Sequence, residues 1–135
     1  MKCSKVNPIP MNQREIKFRV WEHPRPQDEF EGAMTYVDFT EDYDARFWRF
    51  CFRAENKDVY VIMQFSGLKD KDGREIYEGD LVCFNDDNDT YAVSWSEKYL
   101  TLGYFSGTEC ADTLSNNDTC QLIGNIYENP ELLIR

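Results

Sequence analysis

Apolar and polar residues alternate along 15–21, where Ile16, Phe18 and Val20 are separated by Glu15, Lys17 and Arg19. A period of two is what a half-buried β-strand requires. The alternation returns at 34–39 in MTYVDF. Between these segments, EHPRPQDEFEGA combines Pro, Gly and clustered charge, the composition of a loop or flexible connection. The run RFWRFCFR at 46–53 is rich in aromatics and compatible with a strand, although Arg46, Arg49 and Arg53 also fit a helical spacing. It is assigned here to a strand.

The second half of the chain is patterned more clearly. DVYVIMQF at 58–65 is an apolar, β-branched run, and SGLKDKDGREI after it turns on the Asp72-Gly73 pair, whose residues tolerate positive φ. YEGDLVCF makes a second tight turn at Glu78, Gly79 and Asp80 and launches a strand through Leu81, Val82, Cys83 and Phe84. NDDNDT at 85–90 reads as a polar loop, YAVSWS at 91–96 as the partner strand, and LTLGYFSG as its continuation after a bend. CADTLSNNDTC at 110–120 reads as a long polar loop able to carry binding function. A last strand runs through Leu122, Ile123, Ile126 and Tyr127, followed by a helical turn with Asn129 as N-cap and Pro130 at its first position. Short strands joined by tight turns predict a mainly β fold, a small barrel rather than a parallel sheet.

The acidic, glycine-bearing stretch GLKDKDGREIYEGDLVCF at 67–84 invites a metal or phosphate assignment. An EF-hand loop needs glycine at its sixth position and a bidentate glutamate at its twelfth. Counted from Asp70, Gly73 is fourth and Leu81 twelfth, so that pattern fails. A Walker loop fails as well, because no glycine here precedes Lys and Ser or Thr. The stretch is therefore read as turn chemistry: Asp70 and Asp72 accept local backbone hydrogen bonds and face water, and Gly73 is present for its conformation.

At 135 residues the chain can bury a real core, and nine Phe, eight Tyr and three Trp supply the apolar surface. A formal net charge of −10 opposes binding to duplex nucleic acid, apart from a local basic patch within 14–25. No run of about 18 apolar residues suggests a membrane span, and the first fifteen residues lack the apolar core of a secretory signal, so a cytoplasmic protein is expected. Five cysteines with no C-x-x-C pair argue against a disulfide framework or zinc knuckle. The one histidine, His23, sits between prolines and is read as an exposed loop residue rather than a catalytic base. No catalytic residue, metal ligand or cofactor site is assigned.

Four segments, REIKFRVW, MQFSGLKDKDGREIYEGDLVCF, YAVSW and LIGNIYENPELL, occur in order across 14–134. Together they resemble the YopX domain family of phages and prophages. The resemblance implies a β-rich fold containing an SH3-like, partly open barrel, a phage or prophage origin and self-association, and it brings no catalytic residues with it. The expected organisation is a flexible tail over 1–13 and a YopX-like domain over 14–135. Within that domain, 14–57 forms a β appendage, 58–128 the barrel and 129–135 a short C-terminal helical turn. The chain departs from the shortest family pattern in its N-terminal extension and in the stretches 38–58 and 103–120.

Four classes of function compete. The first is a non-enzymatic interaction or assembly protein that binds its own copies, or a host or phage protein, through Trp21, Phe47, Trp48, Phe50 and Phe52, aromatics of the kind that dominate interfaces. The alternative for these side chains is an ordinary core. The second is an acidic mimic of nucleic acid presenting Asp38, Glu41, Asp42, Asp44, Asp86, Asp87 and Asp89 in rows. A third is single-strand nucleic-acid binding by Arg14, Lys17, Arg19 and Arg25 with Trp21 as a stacking platform. The last, an enzyme, needs a desolvated carboxylate with a raised pKa beside an ionised one, and NDDNDT reads instead as a solvated loop.

Overall fold

A computed structural model of the chain describes residues 15–37, 42–51, 53, 56–85, 87–113 and 120–133. It is mainly β, with two antiparallel sheets, the second curled into a half-barrel, and a short 3-10 turn at Pro130–Leu133 near the C-terminus. The first sheet has the order β2-β1-β3-β4, from β1 (Phe18–Glu22), β2 (Ala33–Val37), β3 (Tyr60–Lys69) and β4 (Glu75–Tyr77). The second has five strands in the order β8-β7-β6-β5-β9. They are β5 (Asp80–Phe84), β6 (Asp87–Ser96), β7 (Thr101–Ser106), β8 (Glu109–Thr113) and β9 (Cys120–Asn125).

The segment 58–65 reads in sequence as the first barrel strand; residues 60–64 of β3 pair with β1, Val20 opposite Ile62 and Phe18 opposite Gln64, and the rest of β3 pairs with β4, Phe65 opposite Tyr77. Sheet membership therefore runs across residue 58. The two sheets still share apolar contacts, because Ile76 of β4 packs with Val82, Val93, Tyr104 and Cys120 in the interior of the second sheet.

Alternation in β1 explains why both of its faces are covered. Val20 points to one side, where Val37, Cys51, Phe47, Trp48, Tyr60 and Ile62 surround it. Arg19 and Trp21 point to the other, and each is almost wholly withdrawn from water.

The assignment of 46–53 to a strand is overturned: Asp42–Cys51 is an α-helix, α1. Helical geometry places Phe47, Trp48 and Cys51 on one face, where they cover the Val20 cluster, and leaves Arg46 and Arg49 in water. Arg49 in the last turn also suits the negative end of the helix dipole. Burial by α1 pushes the Cys51 thiol pKa up to about 11, with the Glu22 carboxylate adding to the effect.

Other expectations need correction. The polar stretch 85–90 is largely strand: β6 begins at Asp87, which pairs with Phe84, and residue 86 lies outside the described residues. The segment 110–120 is not all loop either, since β8 occupies its first part, while 114–119 lie outside the described residues. The connection 22–33 holds a 3-10 turn at Pro26–Asp28 and a bridge between Arg25 and Phe30, with Arg25 paired to Glu22 and Asp28. The last strand stops at Asn125. The turn after it begins at Pro130, directly after Asn129, as expected, and the Asn129 Oδ1 accepts a hydrogen bond from the Asn125 amide at 3.2 Å.

Candidate functional site

The two glycine turns singled out in the sequence lead to the two polar centres of the fold. At the first, Gly73 adopts φ +84° in open space, as the turn reading requires. Asp72 is exposed, its Oδ2 3.3 Å from the Arg74 guanidinium. Asp70 does not face water, contrary to expectation. Its carboxylate is fully buried and accepts hydrogen bonds from the Asp72 and Arg74 amides at 3.0 and 2.8 Å. It also accepts from the Leu122 amide of β9 at 2.9 Å and from Arg74 Nε at 3.1 Å. Burial alone would raise its pKa, but these three amides and the Arg74 charge outweigh it and hold the carboxyl below its ordinary value. Asp70 thus ties the β3–β4 hairpin to β9.

At the second turn, Gly79 takes φ +84°, and a Cβ there would lie 2.9 Å from Met63 Sδ. Its amide donates to the Val93 carbonyl and its own carbonyl accepts from the Ile126 amide, while the Glu78 amide donates to Gln64 of β3. Asp80, next in sequence, is 2% exposed and meets Arg19 of β1, 3% exposed, in a 2.7 Å ion pair. Asp80 Oδ2 also accepts the Tyr77 amide at 2.7 Å, and Arg19 donates to the Glu78 carbonyl at 3.0 Å. The guanidinium lies over the Tyr77 ring, 4.9 Å from its centroid. Burial raises the Asp80 carboxyl above its usual value, and the Arg19 charge with the Tyr77 hydrogen bond reverses only part of that rise. Arg19 Nε is buried without an acceptor among the described residues. Glu78 to Asp80 and Arg19 therefore form a seam between the sheets.

The aromatics proposed from sequence as a partner surface divide. Trp21 is buried and stacks on Tyr127 with centroids 5.7 Å apart, lying so close to Gly32 that a Cβ there would clash with its ring. Phe47 and Trp48 are half-buried on the inner face of α1, Trp48 4.5 Å from the Phe18 ring. Phe50 is 42% exposed and edge-on to Tyr60. Phe52 lies outside the described residues. Of the described ones, Trp21 is buried, Phe47 and Trp48 are half-buried and Phe50 is exposed. His23, expected in an exposed loop, is half-buried and edge-on to Tyr127.

The cations proposed for single-strand binding are each engaged by carboxylates: Lys17 by Glu15 and Glu75, Arg19 by Asp80, Arg25 by Glu22 and Asp28. Arg14 lies outside the described residues, as do Asp38, Glu41 and Asp86 of the proposed acidic rows.

Sequence reasoning missed three exposed apolar side chains near the β6–β7 turn. Trp95 of β6 is 51% exposed, and Tyr99 and Leu100 in the β6–β7 connection are 48% and 73% exposed. Leu100 sits at φ +55°. A cleft of about 780 Å3 beside them is lined by Trp95, Glu97, Lys98, Phe105, Glu109 and Cys110. The available signal was Leu100 itself, an apolar residue in a turn where polar ones prevail. Among the described residues, no helix is long and apolar enough to cross a membrane.

Mainly β architecture, a curled second sheet and a buried ionic seam define a small half-barrel protein. Residues 17–134 match the family model described as "YopX protein", and the chain belongs to that family. Among curated proteins none matches. A solved structure, described as the crystal structure of protein EF1440 from Enterococcus faecalis, is similar at 21% identity and a TM-score of 0.48, covering 90% of this chain and 99% of that one.

Proposed function

We propose that the chain is a phage- or prophage-derived interaction protein with no reaction of its own, and that it assembles with copies of itself through the β6–β7 end of the second sheet. The observation that carries this reading is the exposure of Trp95, Tyr99 and Leu100, all at the end of one hairpin, while Trp21, Phe47 and Trp48 are drawn inside. Large apolar side chains grouped beside a cleft gain most by being covered. Two features favour a second copy as the cover. The strand β8 beside the cleft is the outer strand of its sheet, a row of backbone groups open to pairing. The cleft also carries both signs of charge, Lys98 with Glu97 and Glu109. A two-fold axis sets the lysine of one copy against a glutamate of the other, as a self-complementary contact requires. Family membership supports the phage or prophage origin.

Light scattering coupled to gel filtration, run across a hundredfold range of concentration, tests the reading. The wild type is expected as a dimer or larger assembly that Trp95→Ser with Leu100→Ser reduces to monomers without altering the thermal melt. A wild type that stays monomeric throughout, or a double variant that assembles equally well, overturns it.

A further inference from the structure

A second groove opens at the seam, between β3, the Glu78–Gly79 turn, β6 and the segment that follows β9, and meets the first cleft at Phe105, which lines both. Its volume of about 390 Å3 lies at the lower end of the range for ligand clefts. Val61, Met63, Val93, Phe105 and Ile126 give it apolar walls, and Glu78 is the only charged side chain among its lining residues.

Glu78 is anchored to β3. It is half-buried, and its Oε1 accepts the Gln64 amide at 3.0 Å. Among the described residues no lysine or arginine forms an ion pair with it, whereas Lys17, Arg19, Arg25 and Arg74 are all paired elsewhere. Arg19 reaches the Glu78 carbonyl rather than its carboxylate, and its charge is matched by Asp80. A carboxylate with no ion pair among the described residues therefore lines an apolar groove, where a cation brought alongside it is attracted more strongly than in open water.

We propose that this groove receives an arginine or lysine side chain from a segment of a partner protein, with an apolar neighbour of that residue lying against Phe105 and Ile126. The chemistry fits on both counts. A basic side chain has an aliphatic stem for the apolar walls and a cationic head for Glu78. A net charge of −10 favours approach by basic partners. The site needs no self-association, so it stands whether or not the chain forms dimers.

The test titrates two capped tripeptides, Leu-Arg-Leu and Leu-Gln-Leu, into 15N-labelled wild type and Glu78→Gln, following amide shifts. With the arginine peptide, saturable shifts are expected at Gly79, Ile126 and Tyr127 of the wild type. Binding is expected to be about fivefold to tenfold weaker for the glutamine peptide and for Glu78→Gln. Equal binding of the two peptides to the wild type identifies a purely apolar occupant and overturns the proposal. So do shifts confined to other residues, or no saturable shift up to millimolar peptide. The wild-type comparison of peptides decides the matter even if the variant folds poorly.

Discussion

Replacing Asp80 by Asn probes the seam at its most costly point. The amide keeps an oxygen for the Tyr77 N–H but removes the charge 2.7 Å from Arg19, both side chains being almost fully buried. The guanidinium then keeps its charge in the interior with the Glu78 carbonyl as its hydrogen-bonded neighbour, and its Nε already lacks an acceptor among the described residues. Breaking one side of such a buried pair costs about 3–5 kcal/mol. Against a total stability of about 5–15 kcal/mol for a domain, that is a large share. At about 3 °C per kcal/mol for a chain of this size, the melting temperature falls by roughly 10–15 °C. Removing both charges, as Arg19→Met with Asp80→Leu, lifts the desolvation cost along with the attraction, so the double variant should lie within about 2 kcal/mol of wild type. Urea denaturation of the wild type, the two single variants and the double variant completes the cycle. A loss below about 1 kcal/mol for Asp80→Asn, or single-variant losses that simply add in the double, would refute the reasoning.

Two further outcomes follow from the turns. Gly73→Ala meets only the conformational strain of φ +84° and should cost about 1 kcal/mol, whereas Gly79→Ala meets the same φ and Met63 Sδ at 2.9 Å, so it should cost clearly more, about 2–3 kcal/mol; equal melts for the two would contradict the packing at the seam. Asp70 is held below its ordinary pKa, so the native state binds that proton less readily than the unfolded chain does. The stability it lends is complete above about pH 4 and is lost as pH falls through the native pKa. Chemical denaturation at a series of pH values should therefore show the gap between wild type and Asp70→Asn shrinking on the acid side, and a gap that widens there would be inconsistent with the hydrogen bonds from Asp72, Arg74 and Leu122.

What could be read from the sequence was local. Alternation marked β1 and β2, and the apolar runs marked β3 and β5, because pairing of either kind buries one or both faces of an extended chain. Gly73 and Gly79 were legible because a turn with positive φ requires glycine there. The stretch 46–53 was misread because eight aromatic-rich residues satisfy a strand and a helix alike; the spacing of Arg46 and Arg49 was the correct signal, Arg53 lying beyond the helix, and burial of Phe47 with Trp48 and Cys51 decided it. Asp70 looked solvated because the partner that draws it inside, the Leu122 amide, lies 52 residues away. Arg19 and Asp80 are 61 residues apart, and no periodicity encodes such a pair. Pairing of the first half of β3 with β1 is equally non-local, whereas its second half pairs with β4, the strand that follows. The candidate surfaces shifted for the same reason: Phe47 and Trp48 are covered where α1 packs on Val20, and Trp21 is covered on the other face of β1 by Tyr127, a contact across more than a hundred residues' separation that no local pattern encodes.

Underlying all of this is the joining of two sheets into one cooperative unit at Glu78, Gly79 and Asp80. Native-state hydrogen exchange measures that directly through the amides of Tyr77, Gly79 and Ile126, which bond to Asp80, Val93 and Gly79. These three should exchange only by global unfolding, with the same free energy as the amides of Val20 in one sheet and Val93 in the other. Exchange of the three at markedly lower free energy, while both sheets stay protected, would contradict a seam that holds the sheets together.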